Sequence, residues 1–471
     1  MPDKDKDQLI ASYIKNLLYQ HPSLPPILEE IALKKAIPYL VGGAVRDIFL
    51  HKSSKDIDIE VEGLSIDCLE KILQQFGTVS LVGKAFGVLK LHSLDIDWSV
   101  PRTDSAGRHP QVAFHPHLTP EQAFARRDLT INAMGINLLT HQLIDPFNGL
   151  SDLENHKLRT PNPILFIEDP LRFFRVMHFI ARFQMEPDEE LNQICATMNL
   201  NGLALERIAA EFDKLFLLSS SPSRAFVWLA RIGRLHEIYP EIAATQGIPQ
   251  DPEWHPEGDV WEHTLQALDA AAGTVYQNNH ERLMILYAAL CHDLGKVTTT
   301  KFMDNRWRSH GHDVEGERIA KKFLVRISVH TGLIDAACLL VRQHMMPGQL
   351  VHNQSTPAAY KRLAARLAPH VTLQQLALVA YADARGRNKN KEDSYDQPVP
   401  WIDEFLDRAH KANVLSAPEP PLLQGRDLLD VVKPGPRLGQ LIRRAYQIQI
   451  DEGIVDKEEI KKRILTQSFE D

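Results

Sequence analysis

At 471 residues, 44% hydrophobic and 24% charged, the chain has the make-up of an ordinary globular protein long enough for about three domains. No apolar run approaches the roughly 18 residues of a membrane span, the charged start MPDKDKDQLI lacks the apolar core of a signal peptide, and the scattered Cys68, Cys195, Cys291 and Cys338 suit a reducing cytoplasm. The net charge of −8 argues against a protein that coats nucleic acid indiscriminately, yet leaves room for local basic patches that grip a folded RNA.

Residues 1 to about 35 read as a helical extension. From 36 to 150 short alternating segments mix with helical ones, which predicts a compact α+β head with a mixed sheet. Within it, residues 37–41 make an apolar strand, Gly42-Gly43 a turn, and residues 44–50 the start of a helix. Paired glycines let backbone approach a phosphate closely, and Arg46 adds a positive charge. No Walker A loop or GxGxxG stands here, which counts against P-loop and dinucleotide-binding enzymes. Next comes KDIDIEV (55–61), whose strand alternation predicts Asp56, Asp58 and Glu60 on one face. Carboxylates spaced i, i+2 lie about 7 Å apart along a strand, suited to sharing a pair of divalent ions. LDIDWSV (94–100) repeats the pattern, so the third carboxylate is Asp97 or, alternatively, Asp95.

Residues 151–247 read as an all-α neck and body. In EDPLRFFR (168–175), helical spacing predicts Asp169, Arg172 and Arg175 on one face. A carboxylate beside a guanidinium offers fixed acceptors and donors. Cytosine and adenine both present an amino donor next to a ring-nitrogen acceptor, whereas uracil and guanine reverse that order. One Asp–Arg pair can therefore accept C and A and reject U and G without a nucleic-acid template.

Taken in order, LVGGAVRD, KDIDIEV, ARRDLTINAM and EDPLRFFR resemble the class II tRNA nucleotidyltransferases, which include the CCA-adding enzymes and the bacterial poly(A) polymerases. The likeness covers residues 37 to about 215. It implies that Gly43 and Arg46 hold a triphosphate, that Asp56 and Asp58 hold Mg2+ as catalytic carboxylates with Asp97, and that Arg127, Asp128 and Asn132 meet the ribose and phosphates. Asp169 and Arg172 would then select the base, Arg175 would face a phosphate or base, and Arg207 and Glu211 would brace the pocket. In this family the loop at residues 102–110 is linked to the switch from C to A addition.

Residues 248–390 carry His263, His292-Asp293 and Asp383 in the H…HD…D order of HD phosphohydrolases, with His310, His312 and His344 as extra candidate ligands. Imidazoles and carboxylates from separate helices can converge on a divalent transition metal or Mg2+ and activate water. WHPEGDVWEHTLQAL and ALCHDLGK resemble the HD domain some CCA-adding enzymes carry, which implies an all-α phosphohydrolase with 2′,3′-cyclic ends as a candidate substrate. A small helical tail (391–471) offers Lys433, Arg437, Arg443 and Arg444 as an RNA-phosphate face. The leading expectation is CCA addition to tRNA from CTP and ATP, without a membrane, by a cytoplasmic enzyme. The alternatives are a poly(A) polymerase or partial CC- or A-adding enzyme, and an HD hydrolase whose head merely binds RNA.

Overall fold

The structure is a computed structural model that describes residues 3–54, 56–82, 87–104, 112–388 and 398–467. Contacts gather the chain into two units, Met1–Arg207 with Arg231–Gly233, and Ile208–Ala230 with Arg234–Asp471.

In the first unit, helices α1 (Asp3–Gln20) and α2 (Leu24–Leu33) precede the strand β1 (Ile37–Val41). Ile10, Ile14 and Leu17 on α1 and Leu24, Ile27, Leu28 and Ile31 on α2 fall at helical spacing and are buried. Each such side chain is worth about 2 kcal/mol of hydrophobic stabilisation. Because α1 packs on α3 (Gly43–Phe49) and α2 on β1 and α4 (Ile66–Leu73), this segment is part of the head rather than an extension from it. The sheet adds β2 (Asp58–Glu62), β3 (Val79–Val82), β4 (Val88–Leu91), β5 (Asp97–Ser99), β6 (Gly135–Asn137) and β7 (Leu143–Ile144). Its order is β3-β4-β5-β2-β1-β6-β7, antiparallel throughout except for the parallel β2–β5 pair. At its centre Ile59, Glu60 and Val61 are all buried, so β2 is covered on both faces and does not show the open acidic face that alternation predicts. The unit continues through α5 (Leu171–Phe183) and a further helix, Glu189–Thr197, to Arg207.

The second unit is helical, starting within α6 (Leu205–Leu218). An aromatic cluster of Phe212, Phe216, Phe226, Tyr239 and Tyr287 fills its first core, where the Tyr287 hydroxyl donates to Asp213 at 2.9 Å. Helices α7 (Val260–Ala272), α8 (Asn279–Cys291), α9 (His312–Ile327), α10 (Thr331–Gln343) and α11 (Leu373–Arg385) then pack together, α7 on α8 and α11, α8 on α10, and α9 on α10. An exposed hairpin of β8 (Lys301–Met303) and β9 (Arg306–Arg308) interrupts this otherwise all-α array. The tail forms its own small core, in which Leu441 and Ala445 of α12 (Pro436–Glu452) meet Ile460 and Ile464 of α13 (Lys457–Gln467). No helix among the described residues is long and apolar enough to cross a membrane.

Candidate active sites

In the head, the chain passes from β1 to α3 through Gly42 at φ +76°, a left-handed conformation that favours glycine. A side chain there would stand 2.8 Å from Arg127 Nη1 and 3.8 Å from Asp58 Oδ2. Asp58 opens β2 and is matched in register with Asp97, which opens the parallel β5. Of the two alternatives for the third carboxylate, Asp97 therefore stands beside Asp58, while Asp95 lies before the strand with its side chain 84% exposed. Lys90 reaches both, 3.4 Å from Asp97 Oδ1 and 3.6 Å from Asp95 Oδ1. Burial first, and then the negative charges of Asp97, Asp56 and Glu60, raise the Asp58 carboxyl above its ordinary range against the pull of Arg127. That surplus of negative charge suits a cation.

Asp56 does not occupy the expected strand position. The strand begins only at Asp58, so Asp56 is exposed on the approach to it and the i, i+2 spacing along a strand does not hold. The three carboxylates do not form a group whose ligand atoms all lie within 4.8 Å; among the described residues every such group is in the second unit. Glu60 is buried and accepts from Arg126 Nη2 at 3.0 Å, a pair that sequence reading passed over.

The triplet 126–128 divides its labour. Arg127 Nε is buried beneath the Gly42 turn without a hydrogen-bond partner among the described residues, and burial disfavours its charge. Asp128 accepts from the Leu129 N–H (2.8 Å), Asn132 Nδ2 (2.9 Å) and Arg175 Nε (2.6 Å). Burial alone would push that carboxyl up, but these donors hold it at about 2. Just after Asp128 the chain makes a single 3-10 turn, Thr130–Asn132. Arg175, expected on a phosphate or base, is thus committed to Asp128. Arg46, expected on the triphosphate, is buried: it donates to Asp47 Oδ1 from Nε (2.9 Å) and Nη2 (2.7 Å) and to Asn132 Oδ1 from Nη1 (2.5 Å), and lies 4.6 Å from the Phe183 ring centre. Asn132 therefore links Arg46 to Asp128, one end of its amide to each.

Asp169 lies just before α5 rather than on its face, where Oδ1 accepts from the Leu171 N–H at 3.2 Å. It pairs with Arg207, whose Nη2 is 3.4 Å from both carboxylate oxygens, and not with Arg172. Arg172 donates to the carbonyls of Leu165 (2.9 Å) and Arg126. Sequence spacing failed here because Pro170 starts the helix one residue after Asp169. The loop at 102–110 lies largely outside the described residues.

The second unit gathers a buried cluster. His263, His292, Asp293 and Asp383 come together from α7, the end of α8 and α11: His263 Nε2 is 3.1 Å from His292 Nε2, 3.2 Å from Asp383 Oδ1 and 3.6 Å from Asp293 Oδ2. His312 and His344 join on the other side of Asp293, with Nε2 atoms 3.2 Å apart and His312 Nε2 3.6 Å from Asp293 Oδ1. His310 is exposed and takes no part. The Nδ1 atoms of His292, His312 and His344 face the carbonyls of Ala289 (2.8 Å), Ser309 (2.7 Å) and Val341 (2.7 Å). His263 Nδ1 faces Glu257 Oε1 at 2.7 Å. A carbonyl or carboxylate only accepts, so each Nδ1 carries the proton and each Nε2 of a neutral ring presents a lone pair. Two opposed lone pairs about 3 Å apart repel unless a cation lies between them, and two ligands at the usual metal–nitrogen length of about 2 Å span that gap. The donor set therefore fits divalent metal, in two adjoining groups that share Asp293; a third, His255–Glu257–His263, adjoins them, but there Glu257 Oε1 faces the Nδ1 atoms of both rings and serves as their acceptor. Lys296 (2.7 Å from Asp293) and Arg387 (2.8 Å from Asp383) keep both buried carboxyls well below the usual range against the effect of burial. Neither they nor Glu257 was singled out from sequence, although Lys296 stands at i+3 from Asp293, a spacing that signals a shared helix face.

In the tail, Lys433, Arg437, Arg443 and Arg444 are all exposed, the last three on α12.

Comparison with known proteins covers both units. Residues 38–159 match the poly A polymerase head domain and residues 260–385 the HD domain. A multifunctional CCA protein of Neisseria meningitidis is 34% identical over 385 residues, covering 80% of this chain and 88% of the relative. Another from Tolumonas auensis is 34% identical over 398 residues, covering 81% and 91%. The fold is similar to that of the Bacillus stearothermophilus CCA-adding enzyme in complex with CTP (TM-score 0.63, 18% identity, covering 95% of this chain and 98% of that one). It also resembles the Thermotoga maritima CCA-adding enzyme complexed with tRNA (TM-score 0.55, 18% identity, 94% and 96% covered). With two thirds of its length exceeded at better than 30% identity, the chain belongs to the multifunctional CCA protein family.

Proposed function

We infer that this protein is a CCA tRNA nucleotidyltransferase that adds C, C and A to tRNA 3′ ends from CTP and ATP without a nucleic-acid template, and that its HD region is a metal-dependent phosphohydrolase. The observation that carries the first part is the Asp58–Asp97 register beneath the Gly42 turn, with Arg127 Nε, unpartnered among the described residues, beside it. In the reaction the terminal tRNA hydroxyl attacks the α-phosphorus, the bond to pyrophosphate breaks, and the hydroxyl proton is lost. Mg2+ held by Asp58 and Asp97, with Asp56 drawn in from its exposed position, would supply the charge that steadies the pentacoordinate phosphorus and the departing pyrophosphate. Gly42 and Gly43 leave room for the triphosphate against backbone, and Arg127 donates to it. Asp128 uses both oxygens on Leu129, Asn132 and Arg175, so its role is to hold those groups, with Arg46 behind them, around the ribose.

Base choice would fall to Asp169 and Arg172. The Asp169–Arg207 pair is 3.4 Å long with side chains 39% and 52% exposed, and such pairs are worth at most about 1 kcal/mol. An incoming cytosine or adenine, bringing its own donor and acceptor, can displace Arg207 at little cost. Lys433, Arg437, Arg443 and Arg444 would take phosphates of the tRNA body.

For the HD site, imidazole ligands favour a transition metal over Mg2+. Such an ion would activate water for attack on a phosphate ester at an RNA end: a P–O bond forms to water, the ester P–O bond breaks, and the leaving oxygen takes a proton. The four cysteines are free and three are buried, in keeping with a reducing cytoplasm.

The test is extension of tRNA ending at the discriminator base, at CC or at CCA, with Mg2+ and CTP, ATP, both or UTP. Growth to CCA and no further is the expected outcome. Arrest at CC, A addition to the CC substrate alone, or long A tails would each replace it with the corresponding partial enzyme or polymerase.

A further inference from the structure

Between the two metal groups the chain makes the excursion β8–β9, with every strand residue exposed. Phe302 and Trp307 are paired across it, 57% and 37% exposed, with ring centres 5.1 Å apart. Aromatic rings left in water on a two-stranded ribbon add little to folding, so their presence asks for a ligand. The next pair toward the base is Lys301 opposite Arg308, both exposed. Below that pair the Thr300 and Ser309 hydroxyls meet at 2.8 Å. Ser309 in turn takes the His312 Nδ1 proton on its carbonyl at 2.7 Å.

The hairpin is rooted in the metal site at both ends. Its incoming strand follows Asp293 after one helical turn, Lys296–Thr299, and Gly295 is packed so tightly that a side chain would stand 2.0 Å from the His312 carbonyl oxygen. Arg306 ties the tip to Glu253 at 2.8 Å and lies 3.9 Å from Asp251. The segment carrying those acids also bears Trp254, 58% exposed, and Glu257, the acceptor of His263. From the metal site outward the order is hydroxyls, cations, aromatics, with about 3.3 Å between successive pairs.

We propose that β8–β9 is a stacking platform for the terminal nucleotides of a single-stranded RNA 3′ end, which it presents to the HD metals. By strand alternation Phe302 and Trp307 share one face of the ribbon and Lys301 and Arg308 the other, so a base stacks on the rings while the long cationic side chains reach its phosphate around the ribbon's edge on the metal side. Stacking tolerates any base and the cations require a polyanion, so the pairing of the two picks out nucleic acid over an apolar peptide. This rests on the HD region acting on RNA ends, and the experiment separates the two ideas.

Full-length protein and the double variant Phe302→Ala, Trp307→Ala would be compared on three substrates: tRNA ending in a 2′,3′-cyclic phosphate, bis(p-nitrophenyl) phosphate, and tRNA lacking CCA. Loss of stacking should raise KM for the cyclic-ended tRNA by about 10- to 100-fold. Turnover of the small diester and CCA addition should stay as in the parent. An unchanged KM overturns the platform and leaves the rings to a protein contact; equal losses on both hydrolytic substrates reduce them to supports of the metal site. If the parent hydrolyses nothing with any divalent ion, the HD reading fails. The platform is then judged alone by binding of a short oligoribonucleotide with a 3′-phosphate, which the double variant must weaken at least tenfold for it to stand.

Discussion

In the head, Asp58 and Asp97 stand at strand starts, partly exposed, with Lys90 and Arg127 only partly offsetting their charge, and with Asp56 their ligand atoms do not converge. In the HD region the imidazoles and carboxylates are buried, already within about 3 Å of one another, and oriented from behind by carbonyls, Glu257, Lys296 and Arg387. The contrast follows from ligand chemistry. Carboxylates repel one another and cannot be packed together empty, so an oxygen site closes only when its ion arrives with the triphosphate. Neutral imidazoles carry no net charge and can be held in place by their Nδ1 protons, so their site stands ready for a resident ion. On the proposed function, one chain would thus hold a site assembled by its substrate and another assembled by its fold.

Breaking the first half of that contrast should have the largest effect. Asp58→Asn removes charge where the ion would bind, and loss of several kcal/mol of transition-state stabilisation lowers CCA addition by about 1000-fold or more. Asp97→Asn should match it, while Asp95→Asn should change the rate less than about threefold. An Asp95 variant as damaged as Asp97 would sink the register argument. Hydrolysis at the HD site should be untouched by all three.

The second half is tested by His292→Ala, which should abolish hydrolysis and lower bound metal while CCA addition persists. Glu257→Gln keeps every ligand but weakens the hold on the His263 tautomer, so metal affinity should drop by about 10- to 100-fold. Metal content of the purified variants measures both. If Glu257→Gln binds metal as the parent does, the site is not organised from behind.

The two regions also differed in how much their sequence disclosed. The convergence of His263, His292, Asp293 and Asp383 was legible because the chemistry needs specific residue types, and buried helices bring H, HD and D together whatever the connecting lengths. His310 and His312 could not be told apart by composition; the helix that begins at His312 turns one inward and leaves the other outside. The mixed sheet, the Gly42 turn and the helical remainder were equally plain from periodicity. Less could be read where an acid's environment depends on both faces of a sheet. Alternation puts Glu60 on the face of Asp56 and Asp58, yet burial makes it the partner of Arg126. Pro170 shifted Asp169 off its helix, and the Arg46–Asn132–Asp128–Arg175 chain joins residues up to 129 positions apart, a relation no local spacing announces.

That chain makes the head's interior sensitive to acid. The Asp128 carboxyl falls from 3.8 to about 2 in the fold, which at 1.36 kcal/mol per unit is about 2 kcal/mol. A depressed acid contributes its full stability above the unfolded value and loses it as pH falls through the folded one, so this contribution fades between about pH 4 and 2. In Arg175→Met the fading should begin at higher pH and the unfolding midpoint at pH 7 should fall. Urea unfolding of parent and variant at pH 3, 5 and 7 measures it, and parallel profiles would mean that Arg175 does not hold Asp128 ionised.

An effect of similar size and opposite sign is expected in the second unit. Asp269, on the helix that carries His263, accepts from the Ser223 N–H (3.0 Å) and hydroxyl (2.6 Å), but burial outweighs those bonds and pushes its carboxyl up to about 6. The folded chain therefore keeps this proton between about pH 4 and 6, where the unfolded chain has released it, and stability declines as pH rises through that window. Asp269→Asn removes the titration and retains one acceptor for Ser223, so its stability should be flat from pH 4 to 6 and within about 1 kcal/mol of the parent at pH 7. Hydrolysis should not change, because the residue lies away from the metal cluster. A variant that stays as pH-sensitive as the parent would assign the slope to another group, and one that lost metal would show that the HD site depends on the far end of its own helix.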